Sequence, residues 1–400
     1  MKEAIKWSIF AAAALLICRI HQEDKRKSGL SWGGYGQRLL GLNQDQEGRR
    51  EYLDILRFLA AMLVILVHSM GAAAQQPQAA RWRYVFTGAS GLGLCCNLLF
   101  VLISGALLIP YREETLGAFY QKRVQKVVIP MTVYYLFYLH RSGLVSLSLP
   151  SIVQALIQIL SGPMELVPHF WLIYVLLQLY VGVPLLRFMV RDMPESVLDG
   201  IAALILFGMG AKTGLSLLGV LPGLSVPWFS WEGIFFMGYW LTRLPEERYD
   251  KRIYLGAWIG GGAILMIQLF LPERAGAVMN DSIFLLLFAM GIFLFFLRRK
   301  APFPGRMLVQ LVSRYSFSVL MIHWFMLFVV VEKHLQVDAG SLGGGMAGLA
   351  VVLQSLLALF GSLMFAVVFD NTAVLLAERL VQGLFGIWNK GINGRKGRFR

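Results

Sequence analysis

Residues 52–68 read YLDILRFLAAMLVILVH, an apolar run that Asp54 and Arg57 interrupt and His68 ends. On an α-helix each residue turns the chain by ~100°, so Arg57 and His68 share one face and lie ~16 Å apart along the axis. That separation is about half the thickness of a bilayer's hydrocarbon core. A cation and a titratable imidazole are costly in lipid. The shared face therefore predicts contact with a protein interior or a watery cavity.

The composition is that of a membrane protein. Of the 400 residues, 57% are hydrophobic and 15% are charged, whereas soluble domains carry about 25% charged residues. The apolar runs are continuous, whereas the strands of a transmembrane β-barrel would alternate apolar and polar residues. We therefore expect an all-α, polytopic transmembrane helical bundle in a lipid bilayer.

About ten apolar segments are close to the ~20 residues that a helix needs to cross a bilayer. Those at 124–140, 226–242 and 281–297 are short for a crossing. A further N-terminal apolar run, from Trp7 to Cys18, is either an interfacial helix or an additional crossing. The ten predicted spans cover residues 52–71, 91–110, 124–140, 169–190, 198–219, 226–242, 253–271, 281–297, 312–332 and 346–369.

The basic residues behind the net charge of +14 cluster at the ends of the apolar runs. This is typical of orientation signals and argues against a nucleic-acid partner. Loops rich and poor in basic residues alternate, and only the loop with Arg81 and Arg83 departs from the alternation. By the positive-inside rule, both ends of the ten-span core of this multi-pass cell-membrane protein are cytoplasmic. Arg57 then lies near the cytoplasmic end of its span, and His68 lies deeper.

Three regions follow from this pattern. Residues 1–50 combine the N-terminal apolar segment with a basic cytoplasmic linker. Residues 51–370 form the ten-span membrane domain, and residues 371–400 form an amphipathic helix and a basic cytoplasmic tail. The three cysteines give no disulfide framework, and the spacing of Cys and His residues predicts no metal site.

Polar and aromatic side chains at membrane depth each have a structural interpretation besides a functional one. Arg57 alone can snorkel to the interface, and His68 alone can be a hydrogen-bonded interior histidine. His169 and Trp171 lie where an aromatic belt is expected, and the basic residues before the third span also act as topology signals. The candidates besides Arg57 and His68 are Ser104, Arg123, Lys126, His169, Trp171, Glu232 and His323.

The ordered set of motifs resembles the acyltransferase 3 family of integral membrane O-acyltransferases. The first-span signature of that family is a Leu-Arg pair followed by a histidine, as in Leu56-Arg57 and His68. The similarity covers about residues 50–370 and all ten predicted spans. Further matches are Ser104-Gly105 in a Phe-Val-Leu-Ser-Gly-like motif with one inserted position, Arg123 and Lys126 before Pro130, His169-Phe170-Trp171-Leu172 with Tyr180 and Pro184, and Tyr315-Ser316-Phe317-Ser318 leading to His323.

The resemblance implies an O-acyltransferase that moves an acyl group, usually acetyl from acetyl-CoA, to a hydroxyl of a carbohydrate. The acceptor is often a cell-envelope glycan on the outer side, whereas the donor is cytoplasmic. Acetyl-CoA, a glycan or envelope acceptor and the bilayer are therefore the expected partners. Neither a metal nor a nucleic acid is expected.

The chemistry of the residues agrees with this resemblance. A hydroxyl is a poor nucleophile near neutral pH, and imidazole is the side chain best suited to remove its proton. His68 is therefore expected to act as the general base or, alternatively, to carry the acyl group transiently. Arg57 is expected to position a phosphate or carbonyl of the donor. Arg123, Lys126 and Ser104 are assigned to donor binding, and His169, Trp171, Glu232 and His323 to the acceptor side.

Two other functions stay open at this point. A transporter or exporter of a glycan or small polar molecule would also use a polar cavity lined by Arg57 and His68. Transporters commonly show two-fold internal similarity among their spans. The spans of this chain show none that is obvious, which argues against a transporter. An accessory scaffold in an envelope complex would instead tolerate replacement of His68.

Overall fold

The protein is built from helices. The computed structural model describes residues 2–42, 50–146, 148–220 and 226–383, and these ranges contain helices but no strand. This confirms the predicted all-α class. The α-helices are α1 (Lys2–Ser28), α2 (Trp32–Leu39), α3 (Glu51–Ala73), α4 (Arg83–Gly93), α5 (Cys95–Leu108), α6 (Leu116–Arg123), α7 (Ile129–Arg141), α8 (Leu149–Leu160), α9 (Trp171–Val190), α10 (Glu195–Leu217), α11 (Trp231–Arg243), α12 (Asp250–Phe270), α13 (Ile283–Arg298), α14 (Arg306–Trp324) and α15 (Ala347–Phe369).

Irregular helical turns link several of these helices. One of them, the π-helix Phe325–His334, continues α14 directly. π-helices are rare and often occur at functional sites. The 3-10 helices are Pro77–Trp82, Pro168–Phe170, Pro272–Val278 and Gly344–Met346, and the other π-helices are Val124–Val128 and Asp370–Val374.

Seven helical segments in the described ranges are long and apolar enough to cross a membrane. An eighth is present if Pro272–Val278 and α13, which meet at a bend of 56°, form one span. The chain is thus a multi-pass helical membrane protein, but the predicted count of ten spans is not confirmed. The seven segments are Glu51–Ala73, Pro77–Leu108, Pro168–Val190, Glu195–Leu217, Asp250–Phe270, Arg306–His334 and Gly344–Gly383.

Two predicted spans, at 124–140 and 226–242, are absent from this set. α11 has 13 residues, so at ~1.5 Å per residue it is ~20 Å long, which is less than the ~30 Å thickness of the hydrocarbon core. α7 also has 13 residues but continues α6 and the π-helix Val124–Val128 without a break. That longer segment carries Lys122, Arg123 and Lys126, and it is not among the segments apolar enough to cross.

The chain forms two compact units, of which the first comprises Met1–Gln46, Gly117–Pro168 and Met364–Arg400. In this unit α1 carries the N-terminal apolar run and continues to Ser28, and α2 follows after three residues. Much of the region predicted as a linker is therefore helical. α1 is not among the membrane-length apolar segments found in the described ranges.

Polar contacts hold the two ends of the chain together within the first unit. The Arg379 guanidinium donates to both carboxylate oxygens of Asp24, at 2.6 and 2.5 Å. The His21 ring lies 2.8 Å from the Asn371 carbonyl oxygen, and the Tyr134 hydroxyl donates to Asp370 at 2.9 Å. The basic tail predicted beyond these contacts, residues 384–400, lies outside the described residues.

The second unit comprises Glu47–Leu116 and His169–Leu363. In it α5 and α11 cross with their backbones in contact. A side chain at Gly105 would overlap the Phe235 carbonyl, and one at Gly238 would overlap the Leu102 carbonyl. Small residues permit this close approach in membrane bundles.

Buried ion pairs fix the helix ends of the second unit. The Lys212 ammonium and the Ser230 hydroxyl both donate to Asp281, at 2.5 and 2.6 Å, which joins α10 to the starts of α11 and α13. Arg187 donates to Glu114 at 2.7 Å and to the Leu108 carbonyl at 2.6 Å, which joins α9 to the end of α5. Because charges buried in a membrane protein need partners, these pairs are structural.

Candidate active site

His68 lies near the end of α3, beside the end of α14. Its ring stacks on the ring of His323, with the centroids 5.2 Å apart and the planes inclined by 23°. The edge of the Trp324 indole also meets the His68 ring, with a centroid distance of 5.1 Å. The helical spacing that places His68 on the inner face of α3 thus aims it at two aromatic side chains of α14.

A third histidine comes from the turn before α9. The ring of His169 meets His323 edge to face, with a centroid distance of 5.1 Å. It also lies parallel to the Trp324 indole, with a centroid distance of 5.6 Å and an angle of 4°. We refer to His68, His169, His323 and Trp324 as the histidine cluster. Three parts of the second unit that are distant in sequence contribute to it.

Backbone carbonyls fix the tautomers of two of these rings. His323 Nδ1 lies 2.8 Å from the Leu320 carbonyl oxygen, and His169 Nε2 lies 2.9 Å from that of Met321. A carbonyl oxygen can only accept, so each of these nitrogens carries a proton. In the neutral imidazole of His323, the other nitrogen, Nε2, then carries a lone pair.

The Nε2 atom of His323 is buried and has no hydrogen-bond partner in the described part of the chain. Buried polar atoms of this kind are uncommon, and a catalytic role is one of the explanations for them. The whole residue is 0% exposed, whereas His68 is only partly buried and accepts no hydrogen bond from the described residues. The site thus pairs a fixed interior imidazole with an accessible one.

The Ser69 hydroxyl, adjacent to His68, donates to the Gln354 side-chain oxygen at 2.5 Å. This bond links α3 to α15, and both residues are buried. On the other side, the Ser90 hydroxyl donates to the Val67 carbonyl at 3.3 Å. The backbone that carries His68 is therefore held from two directions.

Arg57 lies on the same face of α3, ~16 Å along the axis from His68. Its guanidinium donates to Asp54 at 3.4 Å, and Asp54 also accepts from the Ser313 hydroxyl at 2.6 Å. The Arg57 side chain is 28% exposed. It is therefore partly neutralised and yet accessible.

A comparison with known protein families identifies the family of the chain. A family model for the acyltransferase 3 domain, described as an acyltransferase domain, matches residues 50–370. The chain belongs to the acyltransferase 3 family. The matched range contains the whole histidine cluster and Arg57. No curated protein and no solved structure shows significant similarity to the chain.

Other predicted site residues of this acyltransferase have contacts of their own. The Ser104 and Tyr180 hydroxyls lie 3.1 Å apart, between α5 and α9. Trp171, at the start of α9, contacts Trp231 with a ring-centroid distance of 5.3 Å. Glu232 is exposed in the first turn of α11. Their donor and acceptor roles stay predictions.

Arg123 and Lys126 belong to the first unit of the acyltransferase. Arg123 ends α6, and its guanidinium lies over the Phe119 ring at 5.3 Å. Lys126 lies in the π-helix Val124–Val128 that connects α6 to α7. Their predicted part in donor binding is untested.

Three histidines in one cluster raise the question of a metal site in this acyltransferase. Among the described residues, no group of three or more His, Cys, Asp or Glu side chains could hold a metal ion. The rings of the cluster meet by face and edge. The arrangement is that of an aromatic site with proton-accepting nitrogens.

The sequence motifs do not show that the three histidines of the acyltransferase lie together or that Trp324 joins them. They assign His68 to catalysis, and His169 and His323 to the acceptor side. The charge pattern does carry a signal, because it puts His68 deeper than Arg57 in the first predicted span and His169 at the outer end of the fourth. That pattern gives depth, but it does not tell which helices are neighbours.

Proposed function

We propose that this acyltransferase moves an acyl group, expected to be acetyl, from cytoplasmic acetyl-CoA to a hydroxyl of a carbohydrate or other cell-envelope acceptor. The observation that carries the proposal is the lone pair of His323 Nε2, buried beside the accessible ring of His68. In this proposal the protein lies in the cell membrane with both ends of its core in the cytoplasm.

In the first of two routes, His68 is the general base. A neutral ring nitrogen takes the proton of the acceptor hydroxyl while the hydroxyl oxygen attacks the thioester carbonyl. The tetrahedral intermediate then breaks its C–S bond, and the thiolate of CoA receives the proton from the imidazolium. The products are an ester and a free thiol.

In the second route, His68 carries the acyl group. Its ring nitrogen attacks the thioester, the C–S bond breaks, and CoA leaves as a thiolate. The acceptor hydroxyl then attacks the acyl-imidazole, and a second base must take the hydroxyl proton. The Nε2 lone pair of His323 supplies that base. Two adjacent imidazoles thus make this route chemically complete.

Arg57 is proposed to position the donor, because a guanidinium can form paired hydrogen bonds to phosphate or bind a carbonyl oxygen. Arg123, Lys126 and Ser104 are proposed to assist it. On the acceptor side, the partly exposed Trp171 is proposed to offer a stacking surface for a sugar, and His169 is proposed to act from its buried position against Trp324. The exposed carboxylate of Glu232 can accept hydrogen bonds from the hydroxyls of the sugar. In this proposal the acyl donor and the acceptor therefore approach the histidine cluster from different sides.

The test is transfer of labelled acetyl from acetyl-CoA in sealed membrane vesicles that contain an envelope acceptor. Wild type is compared with His68→Ala, and His334→Ala serves as the matched control because His334 is an exposed histidine at the end of the π-helix after α14. We expect His68→Ala to lose at least about 100-fold in rate, the usual contribution of a general base. The control should keep wild-type activity.

Trapping after acid quench separates the two routes. A labelled acyl-enzyme that forms without acceptor supports the carrier route, and its absence during active turnover supports the base route. Full activity of a properly inserted His68→Ala variant would overturn the assignment of His68. Movement of the acceptor across the vesicle membrane without acetyl-CoA would instead indicate a transporter.

A further inference from the structure

A second polar site lies at one end of the second unit. The start of α3 and the ends of α5, α9, α11 and α13 line an open cavity of about 560 Å³. Ligand pockets for small molecules have volumes of about 300–1,000 Å³. The polar and aromatic residues of its wall are Arg50, Arg191, Arg243, Tyr52, Tyr111, Tyr239 and Thr242.

The cavity is positively charged. Its wall contains three arginines and, among the described residues, no carboxylate. Arg191 has one weak ion pair, 3.9 Å from Asp192, whose side chain is 91% exposed. Arg243 has no ion pair to a described residue, and Arg50 contacts the Tyr52 hydroxyl.

Neighbouring arginines of the same unit are neutralised. Arg248 pairs with Asp199 at 3.0 Å, and Arg298 pairs with Asp250 at 3.1 Å. The arginines of the cavity wall therefore keep their positive charge, whereas the neighbouring arginines are paired with carboxylates. Walls lined by one sign of charge attract ligands of the opposite charge.

The kinds of side chain indicate the ligand's chemistry. Guanidinium groups bind phosphate through paired hydrogen bonds. Tyrosine rings offer flat faces on which a nucleobase can stack. The Arg191 guanidinium lies 4.5 Å from the Tyr111 ring centroid, so charge and a flat ring are adjacent in the wall. The wall suits an adenine nucleotide with more than one phosphate.

The position of the cavity adds a length requirement. Tyr52 in its wall and His68 are sixteen residues apart on α3, which is about 24 Å along the axis. Arg57 lies between them. A donor with phosphates in the cavity can bring its acyl group to the histidine cluster only through a long, flexible arm, such as the pantetheine arm of a coenzyme A thioester.

We propose that this arginine cavity binds the nucleotide bisphosphate end of the acyl donor. The proposal rests on the proposed function, and it assigns the donor's phosphates to Arg50, Arg191 and Arg243. An anionic lipid headgroup has the same phosphate chemistry and is the competing source of the ligand.

The test measures binding, so it does not depend on catalysis. The full-length protein is placed in phosphatidylcholine nanodiscs and titrated with coenzyme A, adenosine 3′,5′-bisphosphate and adenosine. Arg191→Gln and Arg243→Gln are compared with Arg252→Gln, an exposed arginine at the start of α12 that is not part of the wall. A size-exclusion profile checks that each variant is folded, and Tyr111→Ala tests the stacking face without a change of charge.

We expect the wild type and Arg252→Gln to bind coenzyme A and the bisphosphate equally well, and adenosine far more weakly. Arg191→Gln and Arg243→Gln should each weaken coenzyme A binding at least tenfold. In turnover they should raise KM for acetyl-CoA more than they lower kcat. This pattern supports the cavity as the donor site.

Two results would overturn the proposal, and they have different meanings. If the wild type binds coenzyme A and the arginine variants bind it equally well, the cavity is not the donor site, although the proposed function stands. If the wild type does not bind coenzyme A at all, the proposed donor is wrong too. The titration is repeated in phosphatidylglycerol nanodiscs to test the lipid as the ligand. If the arginine variants lose bound phosphatidylglycerol but keep the wild-type affinity for coenzyme A, the cavity is a lipid site.

Discussion

His68 and His323 stack face to face, with their ring centroids 5.2 Å apart, although they come from opposite ends of the sequence. The two rings differ in their surroundings. His323 is fully buried and fixed by the Leu320 carbonyl, whereas His68 is partly exposed. The stacked pair therefore joins a partly exposed imidazole to one whose orientation is set by the protein.

The substitution His323→Asn tests the role of the buried ring nitrogen. The Asn amide can still donate a hydrogen bond near the position of Nδ1, but it removes the Nε2 lone pair. We expect acetyl transfer to fall by about 100-fold or more while the amount of folded protein stays near that of the wild type. The measurement is initial rate per amount of monodisperse protein.

His140→Asn is the matched control, because that histidine also contacts a backbone carbonyl, that of Val145, at 3.1 Å. It should keep its activity. An active His323→Asn variant would show that the buried ring only packs against His68 and takes no part in proton transfer.

The Ser69–Gln354 hydrogen bond is expected to stabilise the fold around His68. Ser69→Ala leaves the buried Gln354 amide without its donor, which costs about 1–3 kcal/mol. The double variant Ser69→Ala/Gln354→Leu should cost less than the sum of the two single variants. Thermal unfolding in detergent measures each value, and additive losses would mean that the two side chains are not coupled.

The crossing of α5 and α11 should be intolerant of a single methyl group. In Gly105→Ala the new carbon would overlap the Phe235 carbonyl, and the backbone has no rotamer that relieves the clash. We expect a loss of at least about 1–3 kcal/mol, the usual cost of overpacking. The yield of monodisperse protein and its thermal midpoint measure the effect.

Gly182→Ala is the comparison for this variant. Gly182 lies within α9, and nothing lies within 4 Å of the added carbon. Because Ala favours helix over Gly by about 1 kcal/mol, this variant should be as stable as the wild type or more so. Equal losses in both variants would point to a general effect of the substitution.

Arg57→Gln should raise KM for acetyl-CoA about tenfold and lower kcat less, if the guanidinium positions the donor. Another possibility is that Arg57 only neutralises the buried Asp54. In that case Arg57→Gln/Asp54→Asn should restore the wild-type KM, because Asn still accepts from the Ser313 hydroxyl. Steady-state kinetics of the single and double variants decides between the two roles, and a KM that stays high in the double variant supports donor positioning.

The inner face of α3 could be predicted because helical periodicity depends only on local geometry. Arg57, Asp54 and His68 occupy the face that the spacing predicts, and the Asp54–Arg57 pair is present. The meeting of His68 with His169 and His323 could not be predicted in this way. It depends on which helices become neighbours, and hydropathy gives their depth but not their order in the plane of the membrane.

The predicted count of ten spans is not confirmed, for a related reason. An apolar run shows that a segment avoids water, but it does not show whether lipid or other helices surround that segment. α11 shows the ambiguity, because all its residues from Gly233 to Leu241 are buried by protein although the helix is too short to cross. The arginine cavity was missed too, since Arg50, Arg191 and Arg243 look like ordinary topology signals when each is seen only beside its own span.

The π-helix that follows Trp324 has a consequence for how the histidine cluster is maintained. A π-helix is rare, since its backbone alone does not favour the wide turn. The segment therefore depends on its surroundings, such as α15, where a side chain at Gly361 would touch the Met326 sulfur. A substitution at those neighbours is expected to shift the segment and, with it, the end of α14. The orientation of the His323 ring thus depends on the neighbouring helices as well as on α14. A substitution far from any histidine can therefore misalign the histidine cluster.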